Sequence, residues 1–147
     1  MKELLPRINY IYNFCNDLAA TRQFYSEGIG LTEGMYEPKY GCLSYKLQGM
    51  EFMFWKWEDE LKKPNGFAGQ PGGGGGDLPL TSWTIAVSET EFPLIVSRIQ
   101  KLKAETKAGK PQFLQNSYWG FVVKDPAGNT VEICTYPSER PELTEWE

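Results

Sequence analysis

Residues Arg7–Leu31 read RINYIYNFCNDLAATRQFYSEGIGL, and the parsing of this stretch decides the fold. From Arg7 to Cys15 the residue types alternate. Ile8, Tyr10, Tyr12 and Phe14 fall on one side of an extended chain, and Asn9, Ile11, Asn13 and Cys15 on the other, which predicts a strand with one aromatic face. Asn16 or Asp17 can accept hydrogen bonds from the free N–H groups that open a helix. A helix is therefore expected over Leu18–Glu27, closed by Gly28 and Gly30.

Three strands are expected next, around Leu31–Glu37, Cys42–Leu47 and Met50–Trp57, with Gln48-Gly49 as the tight turn between the last two. From Glu58 to Pro79 the pattern gives way to charge, proline and glycine, including five consecutive glycines at Gly72–Gly76. Such a run has nothing to bury and loses the most backbone entropy on ordering. No Lys-Ser/Thr pair or helix start follows it, so it does not read as a phosphate-binding loop. The run Glu58–Lys63 reads as a solvated charged loop.

The second half repeats the order. Thr81–Ser88 predicts a strand, and Glu91–Lys103 a helix whose Phe92, Ile95, Val96, Ile99 and Leu102 form one apolar stripe. Thr90 is preferred to Ser88 as its N-cap, because Pro93 then falls in the first turn, where a missing N–H is tolerated. Strands follow near Gln112–Asn116, Tyr118–Lys124 and Asn129–Tyr136, the last two joined through Asp125-Pro126-Ala127-Gly128-Asn129, a turn composition. Strand, helix and three strands are thus written twice, half a chain length apart. The expected fold is α+β: one domain over 1–147, with βαβββ modules at about 1–58 and 81–137. A linker at about 59–80 joins them, and a Pro- and Glu-rich tail follows at 138–147. Each module covers one face of its sheet with a helix, and the two uncovered faces are expected to form a curved mixed sheet around a cavity.

Composition narrows the function. The chain has 147 residues, and a chain of this size buries roughly 68–70% of its unfolded surface, enough for a core without disulfide staples. Hydrophobic residues are 41% and aromatic residues 14%, which argues for a packed globule. A net charge of −4 argues against nucleic acid as partner. No apolar run approaches the about 18 residues of a membrane span, and the N-terminus lacks the apolar run of a signal peptide. Cys15, Cys42 and Cys134 have no CxxC spacing and read as reduced thiols, so a cytoplasmic location is expected. The sequence contains no histidine, which excludes His-dependent triads, HExxH zinc sites and any His-ligated metal.

DPAGNTVEI (Asp125–Ile133) resembles the DPxGNxxE hairpin that closes proteins of the vicinal oxygen chelate superfamily, which includes glyoxalase I (lactoylglutathione lyase), extradiol dioxygenases and the fosfomycin- and bleomycin-resistance proteins. Arg7–Leu31 is similar to their opening strand and helix, down to the Asp-Leu helix start and the closing FY…G.GL. The resemblance implies the paired-module fold, and it implies homodimers. It also implies four inward positions that hold a cation in metal-dependent members, usually two His and two Glu. Here those positions carry Tyr10, Met53, Thr84 and Glu132, so only the glutamate is kept and no metal or other cofactor is expected. An oxygen-only cation site on Glu132, Glu51 and carbonyls is the weaker alternative.

With Tyr10 and Glu132 facing inward, strand parity gives the cavity Tyr10, Tyr12, Phe14, Met53, Trp55, Trp57, Thr84 and Glu132. Tyr118, Trp119 and Phe121, whose facing alternation alone leaves open, are added from the strand before the closing hairpin. Such a lining suits a small aromatic or cationic organic molecule, bound by stacking, cation–π contact and pairing with Glu132. Two plainer readings stand beside it: the aromatics are core, and Glu132 is a buried carboxyl hydrogen-bonded by Tyr10. Nothing cationic lies near Cys134 to make it a nucleophile. Three functions follow: metal-free binding of a small molecule, as in bleomycin resistance; a lyase- or isomerase-type enzyme with Glu132 as base or remnant ligand and Tyr10 as orienting acid; or a dimerising module without a pocket.

Overall fold

The computed structural model describes residues 5–71 and 75–137, so the tail at 138–147 and three of the five consecutive glycines lie outside the described residues. The chain divides into two compact units, Met1–Leu61 and Lys62–Glu147. The strands likewise form two four-stranded mixed sheets, one in each unit.

The first unit runs β1 (Tyr10–Cys15), α1 (Leu18–Arg22), a π-helical segment (Gln23–Ile29), β2 (Glu33–Glu37), β3 (Cys42–Leu47) and β4 (Met50–Lys56). Its sheet has the order β1-β4-β3-β2, with β1 parallel to β4 and the other pairs antiparallel. Asp17 caps α1, its carboxylate accepting from the Ala20 N–H at 2.9 Å. Asn16 instead ties the chain beyond β4 to the helix start, donating to the carbonyls of Trp57 (3.0 Å) and Asp59 (2.7 Å).

The helix expected to stay α-helical to Glu27 widens after Arg22, and Gly30, at φ +88°, returns its N–H to the Tyr25 carbonyl. Glycines at 28 and 30 each weaken α-helical commitment by about 1 kcal/mol, so packing decides the turn. That packing centres on the buried Tyr25 ring, 4.8 Å from Phe54, 5.8 Å from Tyr45 and 6.0 Å from Phe52. Arg22 and Ser26 of the helix both bond Glu33 of β2, the guanidinium through Nε at 2.6 Å and Nη2 at 3.2 Å and the hydroxyl at 2.8 Å.

The second unit runs β5 (Ser82–Ala86), α2 (Phe92–Lys101), β6 (Gln112–Leu114), β7 (Tyr118–Lys124) and β8 (Thr130–Thr135), in sheet order β5-β8-β7-β6 with β5 parallel to β8. Glu91, not Thr90, is the cap residue of α2. The Ser88 hydroxyl accepts from the Glu91 N–H (3.2 Å), and Pro93 still lies in the first turn. Phe92, Ile95, Val96 and Ile99 of α2 are buried, as are Phe121, Val123, Val131 and Ile133 of the sheet, an aliphatic-rich core. Asp125 holds the closing turn, its carboxylate accepting from the N–H groups of Ala127 and Asn129 and from the Asn129 amide, at 2.9–3.0 Å.

Much of the expected linker belongs to this unit. Lys124 donates from Nζ to the Pro64 (3.1 Å) and Asn65 (3.0 Å) carbonyls, and the Thr130 hydroxyl accepts from the Ala68 N–H (2.8 Å). Phe67 and Gly69 bond Asp77 through their backbones, closing the glycine-rich loop at its base. No helix among the described residues is long and apolar enough to cross a membrane.

Candidate functional site

Each module contributes its own set of side chains on the sheet face turned away from its helix. In the first, register sets three rows across β1, β4 and β3: Tyr10–Glu51–Lys46, Tyr12–Met53–Ser44 and Phe14–Trp55–Cys42. Trp57 extends the last row, its ring edge-on to Phe14 at 5.7 Å. Tyr10 and Tyr12 stack at 6.0 Å and 19°. The parity assignment therefore places Tyr10, Tyr12, Phe14, Met53, Trp55 and Trp57 on one face. Four of these rings stay about half exposed, Tyr10 at 50%, Tyr12 at 59%, Phe14 at 50% and Trp57 at 46%, while Met53 is buried. Rings this exposed are not core, so the plainer reading fails for them.

In the second module, register aligns Thr84, Glu132 and Val122 across β5, β8 and β7, with Ala86, Cys134 and Gly120 in the next row. Glu132 is 5% exposed. Burial pushes its carboxyl up from the ordinary value, against the downward pull of the Thr84 hydroxyl, the Lys107 charge and the Tyr118 hydroxyl. The hydroxyls that reach it are thus Thr84 and Tyr118 of its own module. Tyr10 belongs to the first module, where its ring stacks on Tyr12. Two further residues shape this carboxyl. A Cβ on Gly120 would stand 3.4 Å from the Glu132 carboxyl and 3.0 Å from Leu114 Cδ1, so glycine makes the room. Lys107 is brought alongside because its N–H bonds the carbonyl of Val122, the register neighbour of Glu132.

Two expected lining residues are corrected. Trp119 and Phe121 alternate with Tyr118, Gly120 and Val122 along β7, so they face away from Glu132. Both are buried, Phe121 level with Ile133 in the core and Trp119 against Phe113 at 5.2 Å. Cys134 is wholly buried and burial pushes its thiol up, the reverse of what a nucleophile needs.

The four positions that would hold a cation carry a phenol, a thioether, a hydroxyl and one carboxylate that burial drives toward its protonated form. That donor set does not fit Ni²⁺, Zn²⁺, Mn²⁺ or Fe²⁺, which want imidazole, thiolate or several ionised carboxylates. Among the described residues no three His, Cys, Asp or Glu side chains are grouped as a metal would require.

No protein-family profile matches the chain, and no curated protein matches its sequence. Solved structures do match its fold. A glyoxalase/dioxygenase from Nostoc punctiforme aligns with a TM-score of 0.68 at 18% identity, covering 94% of this chain and 99% of that one. The oxidase ChaP-H2 aligns at 0.65 and 17%, covering 91% and 96%. A lactoylglutathione lyase from Agrobacterium tumefaciens aligns at 0.58 and 18%, covering 90% and 96%. The chain has the fold of the glyoxalase and dioxygenase proteins, as the motifs at its two ends implied. At these identities the likeness extends to the fold and no further.

Proposed function

We propose that this protein binds a flat aromatic organic molecule, without a metal, on the aromatic face of its first sheet. The observation that carries the reading is the set of four half-exposed rings, Tyr10, Tyr12, Phe14 and Trp57, held on one rigid sheet face. A planar ligand laid on them removes apolar surface from water and adds ring–ring contact. The exposed ring faces make the aromatic character of the ligand what this face selects. The unsuitable donor set supports the metal-free part of the reading.

Trp55 and Trp57 report on the face directly. Titration with planar aromatics such as 2-naphthamide should change tryptophan emission saturably. Tyr12→Ala and Trp57→Ala should each weaken binding several-fold to about tenfold, the range that a stacked pair is worth. Unchanged affinity in both variants would remove this face as the site. Metal-stripped protein titrated with Ni²⁺, Zn²⁺, Mn²⁺ and Mg²⁺ should show no saturable rise in Tm. A rise abolished by Glu132→Ala would overturn the metal-free reading.

A second reading has its own support. A buried carboxyl raised above its ordinary value, with two hydroxyls and a lysine charge around it, is the chemistry of a general acid or base. On that reading the protein is a lyase- or isomerase-type enzyme and Glu132 moves the proton. Glu132→Gln should then abolish turnover, and full turnover in that variant would end the reading.

A further inference from the structure

A cavity of about 290 Å³ lies wholly within the first module, where the chain enters β1 and the β3–β4 hairpin turns. It adjoins one end of the aromatic face. Its lining includes Arg7, Asn9, Tyr10, Lys46 and Glu51, and the row Tyr10–Glu51–Lys46 is the first of the three rows on that face. We propose that this cavity anchors a carboxylate, so that the ligand is a flat aromatic carboxylate with its ring over Tyr12 and Phe14 and its head group between Arg7 and Lys46. This rests on the reading of the first sheet as an aromatic platform.

Size, charge and orientation support it together. A volume of about 290 Å³ lies at the lower edge of the roughly 300–1,000 Å³ of drug-sized pockets, room for the head group of a small aromatic acid and the ring beside it. Tyr10 lines the cavity and stacks on Tyr12, so a ring leaving the cavity along this face meets the aromatic row. Arg7 donates from Nε to Asn9 Oδ1 at 2.9 Å, which steadies the guanidinium and leaves its two Nη groups for a carboxylate fork. Among the described residues no ion pair joins Glu51 to Arg7 or to Lys46. Two cations against one carboxylate leave the cavity positive inside a chain of net charge −4. The local charge therefore selects an anion that the whole-molecule charge does not.

Calorimetric titration of the full chain with three probes on one ring tests this: 2-naphthoate, 2-naphthamide and 2-naphthylmethylammonium. Naphthoate should bind about tenfold tighter than the amide, as charge-assisted hydrogen bonds warrant. Arg7→Gln and Lys46→Gln should each erase most of that preference, weakening naphthoate far more than the amide, and Glu51→Gln should tighten naphthoate binding. Raising the salt concentration should narrow the gap, because the cavity is open to solvent. Equal binding of naphthoate and amide would overturn the head-group assignment and leave the platform standing. A preference for the ammonium probe would overturn it as well and assign the head group to a carboxylate. No binding by any of the three would remove the platform reading and this one with it.

Discussion

The two modules follow the same strand–helix–three-strand order, yet they carry opposite chemistry on the faces their helices leave uncovered. The first presents Tyr10, Tyr12, Phe14 and Trp57, half exposed. The second presents Ser82, Thr84, Ala86, Thr130, Glu132 and Cys134, small or polar, with the carboxyl buried. The covered faces differ too: Tyr25 sits among Phe24, Tyr45, Phe52 and Phe54, whereas α2 and its sheet bury Ile95, Val96, Ile99, Val123, Val131 and Ile133. A repeated backbone therefore leaves side-chain chemistry free on both faces, and function has to be argued from the faces.

The core contrast predicts the largest effect. Tyr25 is fully buried at the meeting point of four rings, so Tyr25→Ala should cost about 3–5 kcal/mol in urea unfolding. Ile133→Val removes one methyl from the aliphatic core and should cost about 0.5–1.5 kcal/mol. A larger loss for Ile133→Val than for Tyr25→Ala would mean that the second core, not the aromatic one, is the less forgiving.

Next in size is the seam between the glycine-rich segment and the second sheet. Thr130→Val keeps the shape of a buried side chain but leaves the Ala68 N–H without its acceptor, and Ala68 is itself fully buried. A stranded buried donor costs about 1–3 kcal/mol. The same substitution should speed protease cleavage within residues 62–80. Unchanged cleavage would detach that segment from the second module.

Alternation made the first face legible in the sequence, because the strands there are long and each carries a clean aromatic period. The same rule could not orient Tyr118, Trp119 and Phe121. The β6–β7 turn is built on Gln115 and Asn116, both at positive φ (+51° and +50°), with no glycine to announce it, so parity could not be carried across. Register against β8 settles the facing, and that is a long-range fact. Lys107 and Gly120 escaped for a similar reason: one reaches Glu132 through a backbone bond to Val122, the other by lacking a side chain. The linker read as unstructured because its anchors are backbone groups of Pro64, Asn65 and Ala68, which leave no side-chain signature. The turn at Asp125–Asn129 was legible because its composition and its hydrogen bonds are both local.

The two buried or half-buried carboxyls sharpen the contrast through pH, with opposite signs. The Arg22 hydrogen bond, helped by Ser26, holds Glu33 below its ordinary value of 4.5. Its stabilisation is present above that value and is lost as pH falls through the lower folded value. Burial holds Glu132 above 4.5, so folding favours its protonated form. That stabilisation is present below 4.5 and fades as pH rises through the folded value. Unfolding free energies measured from pH 3 to pH 8 should therefore lose part of their acid-side slope in Glu33→Gln. In Glu132→Gln they should lose part of the decline above pH 4.5. The same change of slope in both variants would contradict the opposed environments.

The smallest predicted effect isolates one hydroxyl in each module. Ser44, in the middle row of the first face between Met35 and Met53, is fully buried, and its Oγ has no hydrogen-bond partner among the described residues. Thr130 is nearly as buried and its hydroxyl is used. Desolvating a hydroxyl without a bond in return is unfavourable, so removing it should not destabilise the fold. Ser44→Ala should leave stability unchanged or raise it by up to about 1 kcal/mol, where Thr130→Val lowers it. A loss of more than about 1 kcal/mol in Ser44→Ala would show that this hydroxyl is bonded after all, and the two modules would then use their buried hydroxyls alike.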